Sequence, residues 1–432
     1  MLLVYTHKIT SRLSYVFKHI CVRILGVEVK FTTVVEEFIA HQGLKMSYTK
    51  QPLGKELFVQ SHYLLFEEGL TDVSIKIENW NATKCFFRVG EKSSIPFDIF
   101  AASFYLLSRY EEYMPYVADD FGRFPPEESL AYRYHFLKQP VVDIWAFEFK
   151  KILQSYFHDF EFTARKFQFQ PIIDVPVAYK YAHKGFIRTL GGGLKDLLGL
   201  RFVDLYNRSS VLFKLRKDPF DTYKWLINNH KKRGFKPIFF FLLADYSNYD
   251  KSINHNNKHF RTLIKYVGDY FEIGLKGSFL ALDDKEILKK EKLRFEKILN
   301  KPLQSSRNSF SKLKLPHSYR NLIDLGVQSD YTMGYVSEVG FRAGTCTPFY
   351  FYDLDYEMQT PLKIYPFCVL DYIFRNTEAK SALNQLQPIV NSVKEVGGVF
   401  SMVVHNYTFS GTAIWGSWRK LYVELLDFVK TD

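Results

Sequence analysis

Asp174, Arg342 and His405 each stand at the polar end of a short apolar run: FQFQPIID (167–174), GFRAGT (340–345) and GVFSMVVH (398–405). An apolar run of this length that stops at a polar group reads as a buried strand. A carboxylate and an imidazole can pass a proton between them, and a guanidinium can hold the carboxylate in its charged form. Three such groups at distant strand ends suggest an acid–base constellation assembled by folding. No metal-ligand cluster accompanies them. His255 and His259, four apart, lack a third ligand and read as a surface pair. Ser278 and Ser309 have no evident base partner, and the chain contains no GxSxG, so a serine nucleophile is not indicated.

Those ends need strands behind them. From residue 166 onward, runs such as PIFFFLLAD (237–245), YFEIGLKGS (270–278), YTMGYVSE (331–338) and LKIYPF (362–367) alternate with helical stretches at 283–300 and 379–396. This alternation predicts a β/α barrel or a parallel α/β sheet, whose chemistry lies at the C-terminal ends of its strands. Residues 1–165 read as a separate unit without a catalytic pattern. In it, FDIFAASFYLLSRYEEYMP (97–115) has a helical apolar stripe ended by Pro115, with Arg109, Glu111 and Glu112 read as a solvated helix end. The stretch 141–157 also has helical spacing. One insertion, 184–225, is locally basic through residues such as Lys184, Arg188, Lys195 and Arg201. Gly191–Gly193 lack the spacing of a phosphate loop and read as a turn between two basic amphipathic helices. Such a segment suits an anionic membrane surface.

The 432 residues carry a net charge of +12, with 41 Phe and 29 Tyr. The excess of positive charge comes without a nucleic-acid-binding signature, so no nucleic-acid partner is expected. No apolar stretch reaches the ~18–20 residues of a membrane span, and the start lacks the features of a signal peptide. Cys21, Cys85, Cys346 and Cys368 show no CxxC spacing and read as reduced thiols. A cytoplasmic protein is expected, touching a membrane, if at all, through 184–225.

Several longer segments carry a resemblance: FDIFAASFYLLSRYEEY in the first half, then KDPFDTYKWL, LLADYSNYD, the whole of 306–355, and HNYTFSGTAIWGSWRKLY. They resemble the polysaccharide deacetylase family (NodB homology, carbohydrate esterase family 4), in a bacterial branch with an N-terminal domain of unknown function. The resemblance implies an α/β fold: a distorted (β/α) barrel over 166–432 behind an N-terminal α/β domain over 1–165. It implies metal-assisted removal of N- or O-acetyl groups from a sugar. In that scheme Asp174 is the base, Arg342 positions it, and His405 is the acid. A divalent ion such as zinc would activate the attacking water.

The ion's ligand positions depart from the family pattern. The family's D-x-D reads here Asp174-Val175-Pro176, its G-L-H-P-S reads Gly274-Leu275-Lys276-Gly277-Ser278, and its S-R-x-H-F reads Ser306-Arg307-Asn308-Ser309-Phe310. Pro176, Lys276 and Ser309 therefore replace all three ligands, and no metal cofactor is expected. The Lys276 ammonium is expected near the former ion position, paired with Asp174. The implied protein is a degenerate deacetylase that binds an acetylated glycan or a glycolipid precursor. An active hydrolase and a non-catalytic membrane or partner scaffold are the alternatives. Asp245, Tyr331, Phe341, Phe349, Tyr350 and Trp415 are candidate substrate contacts. Core packing is the competing role for the aromatics, and helix capping for Asp245.

Overall fold

The computed structural model describes residues 1–430. Strands β1 (Leu2–Tyr5), β2 (Val29–Thr32), β3 (Lys45–Thr49) and β4 (Leu57–Gln60) form a parallel sheet in the order β2-β1-β3-β4. Their dominant helix, Ile99–Leu107, is buried along its whole length, as expected of a helix that is apolar on every side. Asp98 caps it by accepting the amides of Phe100 and Ala101. A small hairpin, β5 (Glu78–Trp80) with β6 (Thr83–Cys85), and the helix Val141–Tyr156 complete this half.

The single helix read over 97–115 is in fact broken. Arg109 takes a left-handed conformation (φ 55°) between Ile99–Leu107 and a short turn, Tyr110–Tyr113. The kink turns the supposed solvated end inward. Arg109 donates to Glu112 (2.7 Å) and Glu111 (2.8 Å), all three are buried, and Glu112 also accepts from Arg342. Burial alone would raise the Glu112 carboxyl, but Arg342 and Arg109 more than offset it and hold it below its ordinary range.

The second half is one nine-stranded sheet. Its strands are β7 (Gln168–Val175), β8 (Ile238–Leu242), β9 (Glu272–Gly277), β10 (Ser305–Asn308), β11 (Ser329–Asp330), β12 (Phe349–Asp353), β13 (Met358–Ile364), β14 (Val369–Leu370) and β15 (Val399–His405). They run in the order β12-β13-β11-β10-β9-β8-β7-β15-β14, parallel except for the β12–β13 pair. Ile172, Ile238, Phe240, Tyr331, Leu370 and Val403 meet in one inner cluster with Phe367. Residues near both ends of the parallel ladder can share a cluster only if the sheet curls. The expected distorted barrel is thus a curled sheet. Among the described residues its end strands, β12 and β14, do not pair.

Two runs read as strands are not. β11 stops at Asp330, and 331–348 is irregular. GFRAGT is a turn held to the N-terminal half: Phe341 N–H donates to the Leu137 carbonyl (2.8 Å), and Val142 N–H donates to Gly344 O (3.0 Å). Gly340 (φ 152°) lies so close to Leu137 that a Cβ would sit 2.6 Å from that carbonyl oxygen. The segment is shaped by this approach, and the side chain it presents, Arg342, turns toward Glu112. The two halves share one hydrophobic core, and all four cysteines are free and buried.

Gly191–Gly193 also differ from their reading as a turn. They lie inside the helix Phe186–Leu198, and the turn falls between it and the helix Phe202–Leu212. Gly192 leaves room for the Arg208 guanidinium, which passes 2.5 Å from where a Cβ would stand and reaches Asp196. No helix among the described residues is long and apolar enough to cross a membrane.

Removing one member of a buried ion cluster strands the others. Glu112→Ala should therefore destabilise the fold by about 3–5 kcal/mol. Lys151→Ala, which breaks an exposed pair with Glu148, should cost under about 1 kcal/mol. Urea denaturation midpoints of the two variants check this ordering.

Candidate functional site

Strand register builds the site. β15 and β7 are paired so that His405 lies opposite Asp174. β9 and β10 are paired so that Lys276 lies opposite Arg307. Side chains two residues apart share a face, so Asp174 and His405 continue the inward faces of Ile172 and Val403. The polar groups form the layer above the inner apolar cluster, at the C-terminal ends of the strands.

Asp174 is fully buried and accepts from two cations. Lys276 Nζ donates to Oδ2 at 2.7 Å, and Arg307 Nε lies 3.0 Å from both oxygens. Arg307 is fixed in turn: it donates to Tyr331 O (2.6 Å) and Ser311 Oγ (2.8 Å), and its guanidinium carbon lies over the Phe367 ring, 4.6 Å from the centroid. Burial would raise the Asp174 carboxyl, but Arg307, Lys276 and His405 hold it far below the usual carboxylate range. Lys276 is itself lowered by burial and by Arg307, against the upward pull of Asp174.

His405 is oriented by Asp371. Its Nδ1 donates to Oδ1 at 2.8 Å, its amide donates to Oδ2 at 2.7 Å, and the Thr408 hydroxyl also donates to Oδ2. A carboxylate on Nδ1 directs Nε2 outward, and Nε2 lies 3.8 Å from Asp174 Oδ2. Tyr407 stacks on the imidazole at 4.7 Å.

These groups floor a cavity of about 480 Å³. Pro176, Lys276 and Ser309 all line it, together with Asp174 and His405. Its walls are Tyr407, Tyr249, Phe310 and Phe121, the last contributed by the N-terminal half and stacked on Phe310 at 5.2 Å. Arg123 and Lys251 also line it.

Arg342 does not position Asp174. Its guanidinium is spent on Glu112 (Nε–Oε1 2.8 Å, Nη2–Oε2 2.7 Å), because its segment is a turn on the N-terminal half and not a strand end. Arg307 holds the carboxylate instead. The substrate candidates are mostly elsewhere too. Tyr331 belongs to the inner cluster, stacked on Tyr365 (4.6 Å), and Phe341 and Phe349 are main-core residues. Tyr350 is half-buried beneath the Arg23 guanidinium (4.7 Å). Asp245 is exposed and paired with Arg294 (2.8 Å) beside a different depression. Trp415 is nearest to its expected role, lining an adjoining depression that shares Val177, Tyr372 and Tyr407 with the cavity.

Sequence reasoning missed Arg307, Asp371 and Tyr407. Asp371 ends the short apolar run of β14 and carries the same signal that marked Asp174 and His405.

A divalent cation does not fit this arrangement. An ammonium and a guanidinium already satisfy Asp174, and the two flanking positions offer a proline ring and a hydroxyl. Zinc favours imidazole, thiolate and carboxylate donors. Among the described residues, no three His, Cys, Asp or Glu side chains are arranged to hold a metal ion together.

Residues 2–158 match the model of a family of unknown function, DUF7033. No curated protein matches the chain. The solved structures it is similar to include a protein from Mycobacterium smegmatis assigned as a polysaccharide deacetylase, at 13% identity and a TM-score of 0.40, covering 61% of this chain and 85% of that one. The polysaccharide deacetylase Bc1974 from Bacillus cereus is similar at 12% identity and a TM-score of 0.31, covering 61% and 88%. BA3943, a carbohydrate esterase family 4 pseudoenzyme from Bacillus anthracis, is similar at 10% identity and a TM-score of 0.30, covering 60% and 62%.

The shared carboxylate sets an order of mutational cost. Asp174→Asn leaves two buried cations unpaired and should destabilise by about 3–5 kcal/mol. Lys276→Met leaves Arg307 on Asp174 and should cost less, about 1–3 kcal/mol. A depressed folded-state pKa contributes stability above the unfolded Asp value near ~3.9, and that stability is lost as pH falls below it. The gap between wild type and Asp174→Asn, read by urea denaturation, should therefore be full at neutral pH and shrink in acid.

Proposed function

We propose that the chain is a polysaccharide deacetylase-like protein that has lost the metal half of its active site and binds an acetylated glycan in the cavity above Asp174. One observation carries this reading: the Lys276 ammonium stands 2.7 Å from Asp174, in the cavity that Pro176 and Ser309 also line. A tethered cation there takes over the charge balance that an ion would supply, without activating water. The cavity volume of about 480 Å³ lies in the range of small-molecule sites. Tyr407, Tyr249, Phe310 and Phe121 offer apolar faces for sugar rings, and the Nε2 of His405 is one of the polar groups beside them.

A specific observation favours a second reading, an active hydrolase. Asp371 and His405 have the geometry of an oriented general acid or base, with Nε2 directed into the cavity. Asp174 would be its partner. Held far below its usual range between two cations, that carboxylate is a very weak proton acceptor. With neither Lewis acid nor nucleophile, the pair would have to supply a barrier reduction of at least ~8 kcal/mol almost alone.

Calorimetric titration with acetylated chito-oligosaccharides, together with an acetate-release assay, separates these readings. Saturable binding without acetate release is expected, and Tyr407→Ala should weaken binding by about 10-fold, the loss of roughly 1.4 kcal/mol of ring stacking. Acetate release that His405→Gln abolishes would overturn the degenerate reading. The absence of both binding and release would leave a scaffold role. As an independent check on the ligand positions, the combined Pro176→Asp, Lys276→His and Ser309→His protein should take up zinc, measured by metal analysis. Failure of the folded triple variant to bind would show that these positions do not correspond to the family's ligands.

A further inference from the structure

The insertion leaves a large apolar surface uncovered. On the helix Phe186–Leu198, Phe186, Ile187, Leu190, Leu194, Leu197 and Leu198 share one face at helical spacing and are all exposed, Ile187 to 85% and Phe186 to 79%. Leu200 in the turn, Phe202, Val203 and Tyr206 at the start of the next helix, and Phe213 and Leu215 beyond it are exposed as well. Isolated apolar residues on a surface need no explanation, but a contiguous set of this size does.

The hairpin that carries this surface is well anchored. Arg208 donates twice to the buried Asp196 and ties the two helices together. Asp218 accepts the amides of Lys180, Tyr181 and Ala182 and fixes the base. Arg188 donates to Ser252 O (2.7 Å) and lies over the Tyr246 ring. The loop it grips leaves the C-terminal end of β8 and supplies Tyr249 and Lys251 to the cavity. The apolar surface is thus presented on a braced element beside the cavity.

Charge decides what covers it. Lys195, Arg201, Lys214, Arg216 and Lys217 are exposed along the same hairpin, while its two acidic residues, Asp196 and Asp204, are both paired. A second copy of the chain would bring the same cations face to face and add to a net charge of +12. An anionic lipid surface meets both demands: its acyl boundary takes the leucines and phenylalanines, and its headgroups attract the lysines and arginines. We infer that the hairpin 186–215 docks the protein on the surface of an anionic bilayer, without crossing it. This inference is independent of what the cavity binds.

Sedimentation of the full chain with vesicles tests it, comparing phosphatidylcholine alone with phosphatidylcholine and phosphatidylserine at roughly 7:3. The chain should sediment with the anionic vesicles and stay in solution with the neutral ones. Ile187→Ser/Leu194→Ser/Leu198→Ser should weaken partitioning at least 10-fold, and Lys195→Glu/Arg201→Glu/Lys214→Glu should do the same. Both sets are exposed, and unchanged circular dichroism and elution would exclude misfolding as the cause. Three outcomes would overturn the inference: a chain that stays in solution with both vesicles, partitioning that neither triple variant changes, or a dimer in size-exclusion chromatography that the apolar triple variant converts to monomer.

Discussion

A carboxylate without water must be neutralised, and the C-terminal end of the curled sheet is organised around meeting that demand at Asp174. The cost of burying such a charge alone is several kcal/mol, enough to threaten a marginally stable fold. Two cations answer it, and both come from strands whose pairing fixes their height. Arg307 is itself spread over the Tyr331 carbonyl, Ser311 and the Phe367 ring, so the pairing extends into the loops that follow β10 and β11. The inner apolar cluster lies beneath this layer inside the curled sheet.

The N-terminal half contributes to the same architecture from outside. It supplies Phe121 to the cavity wall and Glu112 to Arg342. It also places Asp143 where Thr345 (2.6 Å) and the Cys346 amide (3.0 Å) bind it, and Arg12 where it reaches Glu357 (2.9 Å). Buried polar groups on each side are satisfied by the other, so separating the halves would expose apolar surface and strand charges together.

Legibility followed the range of the forces involved. Asp174 and His405 could be read because an apolar run ending in a polar group is a local pattern, and β7 and β15 obey it. The Lys276–Asp174 contact could be expected from electrostatics once a cation position was granted. Arg342 was misread because GFRAGT looks like a strand end, while its shape is set by Leu137, 203 positions upstream of Gly340 in the sequence. Arg109, Glu111 and Glu112 looked solvated for the same reason: the φ of one residue turned them inward. The aromatic walls were illegible because a chain with 41 Phe and 29 Tyr marks no single ring, and only tertiary packing separates Tyr407 from Tyr331. The apolar face of the hairpin lies at the other extreme: its amphipathic character is legible in sequence, although the place of its turn is not, and the face stays exposed among the described residues.

The lysine on β9 has one consequence that an exchangeable ion would not share. A counter-ion carried on a side chain cannot dissociate. Chelators, competing ions and swings in trace-element supply empty coordination sites, but they leave an ammonium on its four-carbon stem in place. The counter-charge of this cavity floor is therefore part of the chain itself.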